Sequence, residues 1–154
     1  AKDPVTGRFK RSSNGIRIRF TAVDKDAKAP KKASRGAGAY DLSAVRREEL
    51  PNGFVKYYTG IAVEIPQGYT GFLYPRSSVV KRGLLMVNSV GGIDSDFRGE
   101  ISAIFVKTKD SAEYRLGDRM CQLLIQKTPD IEFEWADELS ETARGAGGYG
   151  STGR

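Results

Sequence analysis

The chain has 154 residues, 25 Lys/Arg against 19 Asp/Glu, a formal charge of +6, one cysteine and no histidine. That length suits one domain burying roughly two-thirds of its unfolded surface. Without histidine there is no Ser-His or Cys-His nucleophile pair and no His-ligated zinc, so catalysis must run on carboxylates, arginines, hydroxyls, backbone amides or a hard cation such as Mg2+ held through oxygens.

In chain order, residues 1–15, "AKDPVTGRFKRSSNG", read as a loose polar arm. Residues 1–35 hold 11 Lys/Arg and 3 Asp/Glu, while the rest hold 14 and 16. The basic excess is therefore an N-terminal feature, not the footprint of a whole nucleic-acid-binding domain. It reads as a solvated arm, with contact to nucleic acid the alternative. The first 20 residues show no apolar run, so neither a signal peptide nor a membrane span is expected.

"IRIRFTAV" at 16–23 alternates, so Ile16, Ile18 and Phe20 share one face of an expected strand. "KDAKAPKKASRGAGAYDLSA" is a loop ending in a short strand near Tyr40 to Ala44. Further strand-like runs follow: "FVKYYTGIAVEI", "GYTGFLYP", "LLMVNSV", "GEISAIFVKT", "YRLGDRMCQLLIQKT" and "IEFEW". They are rich in Val, Ile, Tyr and Phe and are divided by turn residues. "SSVVKR" has room for one helical turn. The pattern predicts an all-β sandwich or barrel over residues 16–136. Residues 137–154 read as an acidic connector and a Gly-rich tail.

Cys121, in "MCQLLI", reads as a small core hydrophobe and can form no internal disulfide, which fits a reducing intracellular compartment. Gln122 beside it is a polar group in an apolar run and needs a partner. "LGDRMCQLL" puts Asp118 and Arg119 in a turn, as an internal ion pair or as a ligand contact. "YPRSSVVKRG" sets Arg76, Ser77 and Ser78 just after a strand, either a solvated turn or a phosphate cradle of guanidinium, hydroxyls and amides. "GGIDSDFRGE" places Asp94 and Asp96 one residue apart in what reads as a strand or hairpin; two like charges on one face repel, so the pairing calls for a chemical reason. The tail "RGAGGYGSTGR" has five glycines in eleven residues. It is no Walker A loop, because the lysine and the helix are missing. It is either merely flexible or a lid, with backbone amides forming an anion nest, Arg144 as a phosphate fork and Tyr149 as a stacking face.

In order, "AGAYDLSA", "PRSSVVKRG", "GGIDSDFRGE", "GDRMCQLL" and "RGAGGYGSTG" resemble the five motifs of the homotrimeric deoxyuridine triphosphatase (dUTPase) family. The resemblance runs from about residue 37 to 153 and leaves the arm outside. It implies a jelly-roll-like β subunit, a homotrimer with active sites between subunits, and cleavage of dUTP to dUMP and pyrophosphate with Mg2+ on the triphosphate. Such an enzyme limits uracil in DNA and supplies dUMP for thymidylate synthesis. Asp94 matches the carboxylate that activates the attacking water. Phe97 matches the aromatic under the deoxyribose. Asn88 lies on the hairpin that reads uracil through backbone groups around Gly92, Ile93 and Ser102. Arg76, Ser77, Ser78 and Gln122 match phosphate contacts. Arg144, Gly148, Gly150, Ser151 and Thr152 match the lid over the γ-phosphate, and Tyr149 matches the ring that stacks on uracil. Asp41 matches an acidic residue near the metal's water shell. Asp96 then reads as a structural partner for an arginine, Arg98 or one in another subunit.

Three positions depart from the family pattern: Phe97 and Tyr149 exchange tyrosine and phenylalanine, and Ser78 stands where glycine is usual. "RSS" resembles the dCTP deaminases of the same fold, which makes a deaminase or a bifunctional relative the alternative. The paired aspartates, and the lack of a proton-transfer glutamate in "EISAIFVKT", favour the dUTPase. From another class, a β-sandwich binding module with a basic arm would have no use for Asp94 beside a phosphate cradle.

Overall fold

A computed structural model describes residues 15–150 and Gly153. The strands are β1 (Arg19–Ala22), β2 (Tyr40–Ser43), β3 (Arg46–Glu49), β4 (Phe54–Tyr58), β5 (Ile61–Glu64), β6 (Tyr69–Pro75), β7 (Leu84–Met86), β8 (Gly91–Ile93), β9 (Ser102–Lys107) and β10 (Arg119–Lys127); one helical turn, α1, covers Val79–Arg82. All pairings between these strands are antiparallel. One four-stranded sheet has the order β2-β10-β6-β8, a second β3-β4-β9-β7, and β1 pairs with β5. The all-β expectation holds.

Alternation is what packs the two larger sheets. Val55 and Tyr57 of β4, Ala103 and Phe105 of β9, Leu73 of β6 and Leu123 of β10 all point inward and are at most 4% exposed. They join one core cluster that draws on both sheets. Cys121 is fully buried in it, as expected, and burial above all pushes its thiol pKa up. Tyr57 keeps its hydroxyl satisfied inside the core by donating to the Tyr114 carbonyl at 2.8 Å. Gly83 closes α1 in the left-handed region, at φ 61°.

Three expectations are corrected. The first strand covers only 19–22, because β5 offers partners to Arg19 through Ala22 alone. Ile16, Ile18 and Phe20 do line one groove, but Ile16 and Phe20 are half exposed, so the face lies open. "IEFEW" forms no strand: Ile131, Phe133 and Trp135 are 68%, 91% and 101% exposed, and the segment pairs with no strand among the described residues. In the other direction, "RREE" forms β3, which carries no apolar residue and is exposed throughout. The arm, apart from Gly15, lies outside the described residues. Among the described residues no helix is long and apolar enough to cross a membrane.

Candidate active site

Two sets of motif residues form, one at each end of β6. At the Pro75 end, β10 runs between β2 and β6, with Gln122 opposite both Asp41 and Tyr74. Asp41 is 6% exposed, and both its oxygens are taken. Arg76 Nε donates to Oδ1 at 3.0 Å and Arg119 Nη1 to Oδ2 at 3.1 Å. Arg76 also donates to the Arg119 carbonyl at 3.1 Å. A buried carboxylate thus ties two guanidiniums together, leaving their remaining N–H groups to face an anion. Gln122 donates to the Pro75 carbonyl at 3.0 Å, which is the partner its place in an apolar strand demanded. Ser78 Oγ lies 2.6 Å from Tyr114 Oη, while Ser77 is exposed.

At the other end, β8 finishes at buried Ile93 and the chain turns, with Phe97 N donating to the Asp94 carbonyl at 3.1 Å. "DSDFRG" is therefore a turn rather than a continued strand. It lifts Asp94 into solvent, where no side-chain hydrogen bond or ion pair engages it among the described residues. The Phe97 ring lies back over Gly99: a Cβ at 99 would meet its Cζ at 2.5 Å. Asn88 fastens the segment between β7 and β8. Its amide donates to the Ser102 carbonyl at 3.2 Å and accepts from Ile104 N at 2.9 Å, as a strand neighbour would. Gly92 is exposed beside it.

Two of the ion pairs that the sequence left open do not form within the chain. Arg98 turns to Glu64 at 3.6 Å and to the Ser95 and Phe97 carbonyls, not to Asp96. Asp118 accepts from Arg115 N at 2.8 Å and faces Arg82 at 3.5 Å, while Arg119 goes to Asp41, so the two turn residues do not pair with each other. Asp118 lies in the bend before β10 and Arg119 opens the strand, and the two side chains diverge to different partners. Arg119, which the sequence left open between an ion pair with Asp118 and a ligand contact, joins the cradle, and so does Tyr114, which was not singled out. "GDR" carried the signal for Arg119, whereas Tyr114 gave none, since tyrosines in strand-rich sequence are common.

The register of β6 keeps the two sets apart. Ile93, the last paired residue of β8, opposes Gly71, five residues before Arg76, and Asp94 turns off just beyond it. At about 3.3 Å per residue the two sets lie about 15–20 Å apart along β6. The described residues of the tail do not close the gap within the chain. Arg144 donates to the Gly147 carbonyl at 2.8 Å, in its own loop, and Tyr149 is fully exposed. Gly148 and Gly150 are exposed there, and Ser151 and Thr152 lie outside the described residues. No group of three or more His, Cys, Asp or Glu side chains is placed to hold a metal among the described residues. With both Asp41 oxygens on arginines, the described residues do not build a metal centre by themselves.

An antiparallel β protein with an Asp-anchored pair of arginines, adjacent hydroxyls and a free carboxylate has the chemistry of a phosphate-handling enzyme. A family model described as dUTPase matches residues 25–153. The deoxyuridine 5'-triphosphate nucleotidohydrolase of Corynebacterium glutamicum is 40% identical over 141 residues, covering 89% of this chain and 95% of that one. A structure of Staphylococcus bacteriophage 80alpha dUTPase with dUpNHpp superposes with a TM-score of 0.71 at 23% identity, over 91% of this chain and 100% of that one. A mutant dUTPase from phage phi11 of S. aureus, described for its coordination of a structural Mg(II) ion, gives 0.64 at 19% identity, over 80% and 98%. The chain belongs to the dUTPase family.

Proposed function

We propose that this dUTPase hydrolyses dUTP to dUMP and pyrophosphate at a site shared between copies of the chain, with Asp94 as the general base toward the water that attacks the α-phosphorus. The observation that carries the shared site is the separation of Asp94 from Arg76 along β6. A base within hydrogen-bond reach of its water cannot act on a phosphate held about 15–20 Å away, so a second copy brings the two sets together. Among the described residues no side chain engages Asp94, which suits that task. Arg76, Ser77, Ser78 and Gln122 hold phosphate, and Arg119, tied to the same Asp41 carboxylate, adds a guanidinium. Backbone groups around Gly92, Ile93 and Ser102, held in place by Asn88, read the uracil edge, and Phe97 lies under the deoxyribose. Arg144 and the glycine tail close over the γ-phosphate, with Tyr149 on the base.

Phosphoryl transfer of this kind is mainly positioning and charge neutralisation, which arginines supply without histidine. Mg2+ carried by the triphosphate would supply neutralisation of its charge; Asp41, with both oxygens on arginines, would meet such an ion only through water. A homotrimer is further supported by complementary edges. "IRIRF" sets Ile16, Ile18 and Phe20 against Arg17 and Arg19, and "IEFEW" sets Ile131, Phe133 and Trp135 against Glu132 and Glu134. Apolar face to apolar face, with acid opposite base, two such segments from different copies suit strand pairing. The deaminase reading has no structural feature of its own here beyond Ser78.

The test mixes two inactive variants. Asp94→Asn should lose turnover by about 10²–10⁴-fold while still binding dUTP. Arg76→Ala should lose binding. Unfolding and co-refolding the two together should restore activity at sites that combine an intact Asp94 from one copy with an intact Arg76 from another. Activity no greater than the sum of the two variants would refute the shared site. Full turnover by Asp94→Asn would remove Asp94 from its role.

A further inference from the structure

We propose that Tyr114 is a positioning residue for the triphosphate, acting through Ser78; this rests on the reading of Arg76 to Ser78 as a phosphate cradle. Ser78 stands directly before α1, where a serine hydroxyl ordinarily accepts from a backbone N–H of the first turn. Here it makes no such cap. The hydroxyl turns inward instead and meets Tyr114 Oη at 2.6 Å. A phenol is the more acidic of the two groups and the better donor, so Tyr114 donates and Ser78 Oγ accepts. The Ser78 proton is then free to point away from the core, toward an anion beside Arg76, and the bond it receives strengthens the one it gives.

Tyr114 is held rigidly enough for this task. It is 3% exposed, its ring meets Tyr57 edge-on at 6.1 Å and Phe105 at 5.7 Å, and the Arg82 guanidinium covers it at 4.5 Å. Arg82 is itself fixed by donating to the Glu113 carbonyl at 2.9 Å, and it faces Asp118 at 3.5 Å. Tyr57 Oη donates to the Tyr114 carbonyl from within the core. One phenol therefore locks the turn after β6 to the turn before β10, the two stretches that supply Arg76 and Arg119. With glycine at 78 no hydroxyl would be there to orient; Ser78 gives this chain one more phosphate donor and Tyr114 aims it.

The test is a double-mutant cycle on the full chain, with kcat and KM for dUTP and the melting temperature measured for wild type, Tyr114→Phe, Ser78→Ala and the double variant. Phenylalanine keeps the ring and its packing, so the variant folds. Each single change should lower kcat/KM roughly tenfold, the size expected for one hydrogen bond to a charged group, and the double variant should be no worse than either. Wild-type kinetics in Tyr114→Phe beside an impaired Ser78→Ala would overturn the role of Tyr114 alone. Losses that add would do the same, because a merely structural tyrosine acts independently of Ser78. Wild-type kinetics in Ser78→Ala would remove that serine from the cradle, and this proposal with it.

Discussion

Replacing Asp41 by asparagine tests whether this carboxylate serves chiefly to anchor arginines. The change keeps size and shape but removes the charge, and it puts an N–H₂ group where one guanidinium now donates. Arg76 and Arg119 each lose a charge-assisted bond, at 3.0 Å and 3.1 Å. Breaking a fully buried pair from one side costs about 3–5 kcal/mol. Here the carboxylate is 6% exposed, but the guanidiniums are 23% and 49% exposed, so water recovers part of the loss. A cost of about 2–3 kcal/mol remains, closer to that of one or two charged hydrogen bonds. For a chain of this size that lowers the melting temperature by about 4–12 °C. Thermal unfolding followed by circular dichroism reads it directly, and dUTP titrations with varied Mg2+ read the site. We expect a lower melting temperature with KM for dUTP raised at every Mg2+ concentration. An unchanged melting temperature, with only the Mg2+ requirement raised, would refute the anchoring argument and make Asp41 a residue of the metal's water shell alone.

Asn88→Ala removes two part-buried hydrogen bonds and should cost about 1–3 kcal/mol, seen as a lower melting temperature together with a raised KM for dUTP. Deleting residues 144–154 should leave an assembled, folded protein with little activity, checked by light scattering and product chromatography; full activity would show the tail to be dispensable. Glu113 has its pKa held below the usual 4.5, first by the bond from Lys107 and also by Arg47, against the opposing effect of burial. A depressed carboxyl contributes stability that is full above its unfolded value and is lost as pH falls through the folded one. The melting-temperature gap between wild type and Glu113→Gln should therefore shrink from roughly pH 6 to pH 3; a constant gap would refute the ion-pair account.

Much of the architecture was legible because burial imposes a period. "FVKYY", "GFLYP" and "SAIFVK" stood out by their Val, Ile, Tyr and Phe content between turn residues, and the structure places strands there with alternate residues turned into the core. Where no face is buried there is no period to read, and so "RREE" gave no sign of β3. "IEFEW" shows the converse: its alternation is real, yet a strand also needs a partner, and among the described residues this segment pairs with none. The motif residues could be named from their order along the chain. Their ion pairs could not, because which guanidinium meets which carboxylate depends on strands far apart in sequence. Asp118 and Arg119 are neighbours that diverge, while Asp41 and Arg119 meet across β2 and β10.

Composition and local pattern determined by themselves that the chain is a β protein working without histidine, that Cys121 is inert core, and that its polar motifs suit a phosphorylated ligand. Only the tertiary structure decided that Asp41 holds two arginines, that Ser78 answers to Tyr114, and that Asp94 and Arg76 stand at opposite ends of β6. The physical reason is the same in each case: periodicity and turn chemistry act over a few residues, whereas these relations are set by the register of antiparallel strands brought together from distant parts of the chain.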